Sequence, residues 1–181
     1  MPVSIRAVEP ADKQSWLAVF REYIAFYDSE LPDANYALTW ERLNSDFPIR
    51  GLVAESDGRI VGLAHYLFRP STWSLEPFCY LEDLYVDPRV RNQGVGRALI
   101  AEIQKIAQEA GSPRLYWTTA PDNLTARSLY DQIATTDRVQ YKIALSKIVN
   151  MNPPPRTNSV PGQWPLRPWT GTRGDGYGPE R

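Results

Sequence analysis

Apolar side chains recur at Trp16, Val19, Phe20, Tyr23, Ile24 and Tyr27, at the three- and four-residue spacing that gathers side chains on one face of a helix. Pro10-Ala11-Asp12 precedes them, and a proline in a first turn gives up no hydrogen bond, so a helix is expected to open there after a short strand from Val3 to Val8. The polar stretch Asp28 to Asn35 separates it from a weaker helical pattern at Leu38 to Leu43. Two apolar runs, Gly51 to Glu55 and Ile60 to Phe68, flank Ser56-Asp57-Gly58-Arg59. Asp-Gly between such runs predicts a β-hairpin. A further strand is expected from Phe78 to Val86, ending at Asp87-Pro88. Beyond Arg91-Asn92-Gln93-Gly94-Val95-Gly96, the spacing of Val95, Leu99, Ile103 and Ile106 predicts a helix. Gly111-Ser112-Pro113 stops it, and then a strand (Arg114 to Thr119), a short helix (Asn123 to Ile133) and a last strand (Arg138 to Leu145) follow. Strands interleaved with helices predict one α/β domain over 1–150. From Met151 the chain reads PPP, PG, WP, RPW and GTRGDGYGP without an apolar face, which predicts a Pro/Gly-rich disordered tail over 151–181.

Composition narrows the chemistry. The 20 basic and 21 acidic residues nearly cancel, so no global field favours nucleic acid, and no direct nucleic-acid binding is expected. The first residues hold no basic flank followed by an apolar segment, and no run of 18 apolar residues occurs; no membrane association and a cytoplasmic, or alternatively nuclear, setting are expected. One cysteine, Cys79, and one histidine, His65, exclude an intramolecular disulfide, a thiolate zinc cluster and a histidine-rich metal site. No metal is expected.

A glycine-bearing turn that opens a helix offers unpaired backbone N–H groups at the positive end of the helix dipole, a site for phosphate or pyrophosphate. A dinucleotide fingerprint would need glycine at position 99, where Leu99 stands, and no Gly-Lys-Ser/Thr follows to make a P-loop. The whole run Tyr80 to Gly96, YLEDLYVDPRVRNQGVG, resembles the acetyl-CoA motif of the GNAT superfamily, R/Q-x-x-G-x-G/A after a strand. YLED resembles the spermidine/spermine N-acetyltransferases. DLYVD and the later YW-T, N, A and LY are similar to the yeast-type histone and polyamine acetyltransferases. The likeness covers residues 3 to 145. It implies a mixed, splayed sheet of about six to seven strands flanked by helices, with acetyl-CoA in the opening of the sheet. By resemblance, Leu84, Tyr85 and Val86 offer backbone groups to the cofactor, Arg91 begins the motif, and Asn92, Gln93, Gly94, Val95, Gly96 and Arg97 wrap its pyrophosphate. Asn123, Ala126 and Tyr130 match the family's N-x-x-A/S-x-x-x-Y element. Asn123 and Tyr130, seven residues apart, share a helix face. The resemblance makes Tyr130 the general acid that protonates the departing thiolate; the plainer readings are a core aromatic and, for Asn123, an N-cap without a ligand.

An amine arrives mostly protonated at neutral pH, so a base is needed. Strand alternation places Tyr80, Glu82 and Leu84 on one face and Leu81, Asp83 and Tyr85 on the other. The resemblance favours Glu82 as base or water-holder, against a structural acid paired with an arginine, and Asp83 is the alternative base. Cys79 falls on the face opposite Glu82, which favours direct transfer in a ternary complex over an acetyl-cysteine route. His65 reads as a hydrogen-bonded sheet residue. Tyr23, Phe26, Tyr27, Trp73 and Trp117 can wall an ammonium, with Trp73 in a loop best placed, while Asp28, Glu30 and Asp33 either steer a polycation or form a solvated loop. Tyr27, Glu30, Trp73 and Glu82 are the substrate-binding candidates. The acceptor stays open among a polyamine, another small-molecule amine and a protein lysine. A catalytically inactive acetyl-CoA-binding sensor or assembly module is the rival, and an interaction role for the proline-rich tail is a third. The resemblance also implies a homodimer through Arg138 to Leu145.

Overall fold

Asp57 and Gly58 both adopt positive φ, 51° and 71°, the backbone that a two-residue hairpin turn requires. They join β2 (Ile49–Ser56) to β3 (Arg59–Arg69), and the antiparallel pairing runs from Ser56↔Arg59 out to Ile49↔Leu67. The computed structural model describes residues 3–143. Around the hairpin lie β1 (Ser4–Ala7), a 3₁₀ turn (Pro10–Asp12), α1 (Lys13–Phe26), α2 (Asp33–Leu43), β4 (Phe78–Val86), α3 (Val95–Glu109), β5 (Leu115–Tyr116) and α4 (Leu124–Ile133). The sheet is mixed, in the order β1-β2-β3-β4-β5, antiparallel through β4 and parallel between β4 and β5.

Each face of the sheet is covered by helix. On one, Leu52, Ala64, Cys79 and Leu81 pack beneath Leu99, Ile100 and Ile103 of α3. On the other, Leu63 and Tyr85 pack beneath Trp16, Val19 and Phe20 of α1 and Tyr36 and Leu43 of α2. Each large apolar side chain so buried contributes about 1.5–3 kcal/mol. At the chain's start, Arg6 donates to both oxygens of Asp12, at 2.6 and 2.8 Å, and to Glu55 at 2.8 Å, tying the 3₁₀ turn and β1 to β2.

Four expectations need correction. Among the described residues the sheet has five strands, not six to seven. The strand expected over Arg114 to Thr119 is only Leu115–Tyr116, because β5 pairs with β4 at just two positions, Cys79↔Leu115 and Tyr80↔Tyr116, before the two part. The last strand is absent over Arg138 to Ile143, which run irregular and exposed; its remaining residues, and the tail 151–181, lie outside the described residues. The second helix begins earlier than its apolar pattern, at Asp33, whose carboxylate suits the positive end of a helix.

The alternation expected along β4 fails as well. His65 pairs with Asp83 and the next residue, Tyr66, with Leu81, which leaves Glu82 unpaired in a β-bulge. One extra residue reverses the parity beyond it. Leu81 therefore shares the α3 face with Leu84 and Val86, while Asp83 and Tyr85 face α1.

Candidate active site

Where β5 ends, the edge of β4 from Leu81 onward has no strand beside it among the described residues, and its backbone groups border a cleft of about 450 Å³. Leu84, Tyr85 and Val86 form one wall, and the turn into α3 and residues of α4 form the others. The turn is built by local chemistry. Asp87 accepts from the backbone N–H of Arg89 at 2.9 Å and caps the 3₁₀ turn Pro88–Val90. Asn92 and Gly94 then take positive φ, 61° and 81°, and Gly94 becomes the N-cap of α3. A Cβ on Gly94 would meet nothing within 4 Å, so what calls for glycine there is the left-handed backbone. Ala98 makes the first bond back to the turn, to the Gly94 carbonyl at 2.9 Å, so the N–H groups of Val95, Gly96 and Arg97 face the cleft end without helical partners. Gly96 lies on the floor, where a Cβ would stand 3.4 Å from Leu129 and 3.7 Å from Val86.

Two cations flank this positive helix end. Arg91 donates Nε–H to the Val86 carbonyl at 3.0 Å and sets its guanidinium 5.6 Å from the Phe26 ring and 5.9 Å from the Tyr85 ring. Arg97 donates to Gln132 of α4 at 2.6 Å. An unpaired strand edge that ends on free N–H groups and two arginines fits an extended, amide-bearing chain terminating in a pyrophosphate.

From α4, Asn123, Ala126 and Tyr130 all line the cleft. Asn123 is also an N-cap, its Oδ1 accepting from Ala126 N–H at 3.2 Å while its Nδ2 donates to Thr119 at 3.2 Å. Tyr130 rests edge-on against Trp117, with ring centroids 5.3 Å apart. Its hydroxyl has no hydrogen-bond partner among the described residues, and burial first, then the neighbouring Tyr27, pushes the phenol up to about 12. It keeps its proton through neutral pH and opens onto the cleft.

The adjacent acids on β4 differ sharply. Glu82, exposed on the bulge, has no ion-pair or hydrogen-bond partner among the described residues; partial desolvation by the surrounding protein and then the charge of Asp83 raise its carboxyl above its ordinary value. Asp83 is anchored: His65 Nδ1 lies 2.8 Å from its Oδ2, and Trp16 Nε1 donates to His65 Nε2 at 3.0 Å. Tyr23 faces the same carboxylate, and burial, then Asp83, drive its phenol far above the normal value. Cys79 is fully buried, and burial lifts its thiol to about 11; it supplies no thiolate for an acetyl-cysteine route. Among the described residues no group of three or more histidine, cysteine or acidic side chains is placed to hold a metal ion.

The structure brings Arg91, Asn92, Gly94, Val95, Gly96 and Arg97 to the cleft together with Tyr27, but it does not bring Gln93. Glu30 and Trp73, the latter 88% exposed, stand outside it, and Glu82, on the bulge, is not among the residues that line it either. Sequence reasoning passed over Leu129 and Gln132, which stand near Gly96 and Arg97, and missed the Trp16–His65–Asp83 chain. Leu129 and Gln132 fall on the side of α4 that carries Thr125 and Ser128, away from the Asn123–Tyr130 face, so the spacing of that motif did not point to them; the third joins residues distant in sequence.

The model of the Acetyltransferase (GNAT) family matches residues 16–134. The D-amino-acid N-acetyltransferase HPA3 of Saccharomyces cerevisiae is 35% identical over 144 residues, covering 77% of this chain and 89% of its own. The thialysine N-epsilon-acetyltransferase of Caenorhabditis elegans is 26% identical over 132 residues, 71% of this chain and 80% of its own. Among solved structures, the aminoglycoside N-acetyltransferase AAC(6′)-Iy in complex with CoA superposes with a TM-score of 0.67 at 23% identity, over 80% of this chain and 96% of that one. At that identity the likeness speaks to the fold.

Proposed function

The chain belongs to the acetyltransferase (GNAT) family and is an acyltransferase, and from that premise we propose that it moves the acetyl group of acetyl-CoA directly onto the primary amine of a small molecule in a ternary complex. The observation that carries this reading is the cleft: an unpaired β4 edge leads from a free phenol to a helix N-terminus flanked by Arg91 and Arg97. Leu84 to Val86 would lie along the pantetheine, and the N–H groups of Val95 to Arg97 would hold the pyrophosphate. The relatives named above act on D-amino acids and thialysine, which supports a small amine as acceptor.

Acetyl-CoA supplies a thioester that an uncharged amine nitrogen can attack, with a thiolate leaving. The protein's part is to manage two protons. Glu82, with its proton affinity raised, takes one from the incoming ammonium directly or through water. Tyr130, protonated at neutral pH, gives one to the departing sulfur. The test is thiol release from acetyl-CoA against D-amino acids, thialysine, spermidine and a histone-tail peptide. Release with a small amine is expected. Acetyl-CoA binding without release from any of them would favour the sensor.

A further inference from the structure

His65 is 1% exposed and stands between α1 and the middle of the sheet, where an apolar side chain would pack as well. Its partners give it a direction. The Trp16 indole N–H can only donate, so His65 Nε2, 3.0 Å away, must accept. The ring proton is then on Nδ1, which donates to Asp83 Oδ2 at 2.8 Å. The chain thus ends on a side chain that is 19% exposed and next to Glu82, the residue that the bulge releases from pairing. Trp16 and Phe20 hold the imidazole from the α1 side with ring centroids 5.9 and 5.1 Å away, and Gly51 of β2 pairs opposite. The titratable groups around it are Asp83 and Glu82 from β4 and Tyr23 from α1; β2 presents only Gly51 there.

We propose that His65, locked in one tautomer by Trp16, is a positioning residue that pins the Asp83 carboxylate, leaving Glu82 as the one acid of the pair free to take the proton of the incoming amine. The inference rests on the acetyltransferase reading above. Two neighbouring carboxylates otherwise compete for the same proton. Anchoring one separates their roles: the Asp83 charge stays beside Glu82 and supports its proton affinity.

His65 is the one histidine of the chain, so ¹⁵N-histidine spectra of the full-length protein report on it alone. At the pH of the assay the spectrum is expected to show a protonated Nδ1 and a bare Nε2; the opposite tautomer would overturn the proposal without any activity measurement. The second arm uses acetyl-CoA and thialysine, or the amine of the panel that the wild type turns over fastest. His65→Gln sets its amide end near the Nε2 position, where the oxygen still accepts from Trp16, and leaves the Nδ1 position, from which Asp83 is reached, without an N–H. It is expected to lower kcat/KM about tenfold or more and to move the acid limb of its pH profile downward, as the released Asp83 charge leaves Glu82. The double variant His65→Asn with Trp16→Phe restores an N–H near Nδ1 and leaves no orphaned indole donor, and it is expected to bring the limb back. Equal losses in both variants with the limb unmoved would make His65 structural and refute the proposal. If the wild type acetylates no amine while the spectrum shows the expected tautomer, the acetyltransferase reading fails and not the tautomer.

Discussion

Replacing Tyr130 by phenylalanine removes one oxygen and little else. The ring edge on Trp117, 5.3 Å between centroids, is kept, and no described hydrogen bond is lost, so the unfolding midpoint is expected to stay near that of the wild type. Acetyl-CoA affinity is expected to stay as well, since the groups that fit the pyrophosphate sit at the other end of the cleft, on Val95 to Arg97. Turnover is different. General acid help is worth about 10²–10⁴ in rate, and the lower figure corresponds to about 2.7 kcal/mol of barrier. The phenol, lifted to about 12, remains a donor throughout the neutral range, so the wild-type rate should show no Tyr130 limb near pH 7. Thiol release for kcat and titration calorimetry for acetyl-CoA separate the two effects. A fall of about 10² or more in kcat with unchanged affinity is expected. Full turnover in Tyr130→Phe would refute the assignment, and a parallel loss of affinity would make Tyr130 a packing residue.

Glu82→Gln is expected to slow acetyl transfer most below the amine's pKa and to recover partly as pH rises and free amine accumulates; equal loss at every pH in a rate profile would move the base to Asp83. Gly62→Ala places a Cβ 2.8 Å from the Tyr85 carbonyl oxygen, so the β3–β4 backbone must shift, and thermal denaturation is expected to show a loss of about 1–3 kcal/mol. Gly96→Ala meets only ordinary contacts within the protein and is expected to keep its melting temperature while acetyl-CoA affinity, read by calorimetry, falls because the added methyl narrows the cleft floor. Arg6 holds Asp12 below its ordinary pKa; a depressed carboxylate contributes stability above its unfolded pKa of about 4 that is lost as pH falls below it. Arg6→Met is expected to lower the denaturation midpoint at pH 7 by the equivalent of about 1–3 kcal/mol, with the difference from wild type shrinking in acid.

The hairpin, β4 and the two long helices were legible because their signals are local. Asp57-Gly58 needs only its own backbone, and the apolar stripes of α1 and α3 are helical whatever they pack on. The helix Asp33–Leu43 was legible only in its second half, since Asp33 and Ala34 at its start are exposed and Tyr36 alone of its first turn is buried. The ends of β5 were not legible at all. Leu115 and Tyr116 have the same β propensity as the Trp117 and Thr118 that follow, and what stops the strand is the departure of β4, a tertiary event.

The site divides along the same line. Gly94, Gly96, Asn123 and Tyr130 sit in short motifs whose spacing is dictated by one turn and one helix face, and these four meet at the cleft. The acids on β4 lie in a motif too, yet alternation predicts the wrong faces for their neighbours, because one inserted residue reverses every position beyond it. Without the bulge, Leu81 and Asp83 would share a face, and either an aspartate would enter the core beneath α3 or a leucine would face His65. With it, Leu81 is buried at 2% exposure, Asp83 meets the imidazole at 2.8 Å, and Glu82 is left without a partner among the described residues. The irregularity that defeats the sequence pattern is therefore what assigns the two carboxylates different environments, and different environments are what let neighbouring acids take different parts in moving a proton.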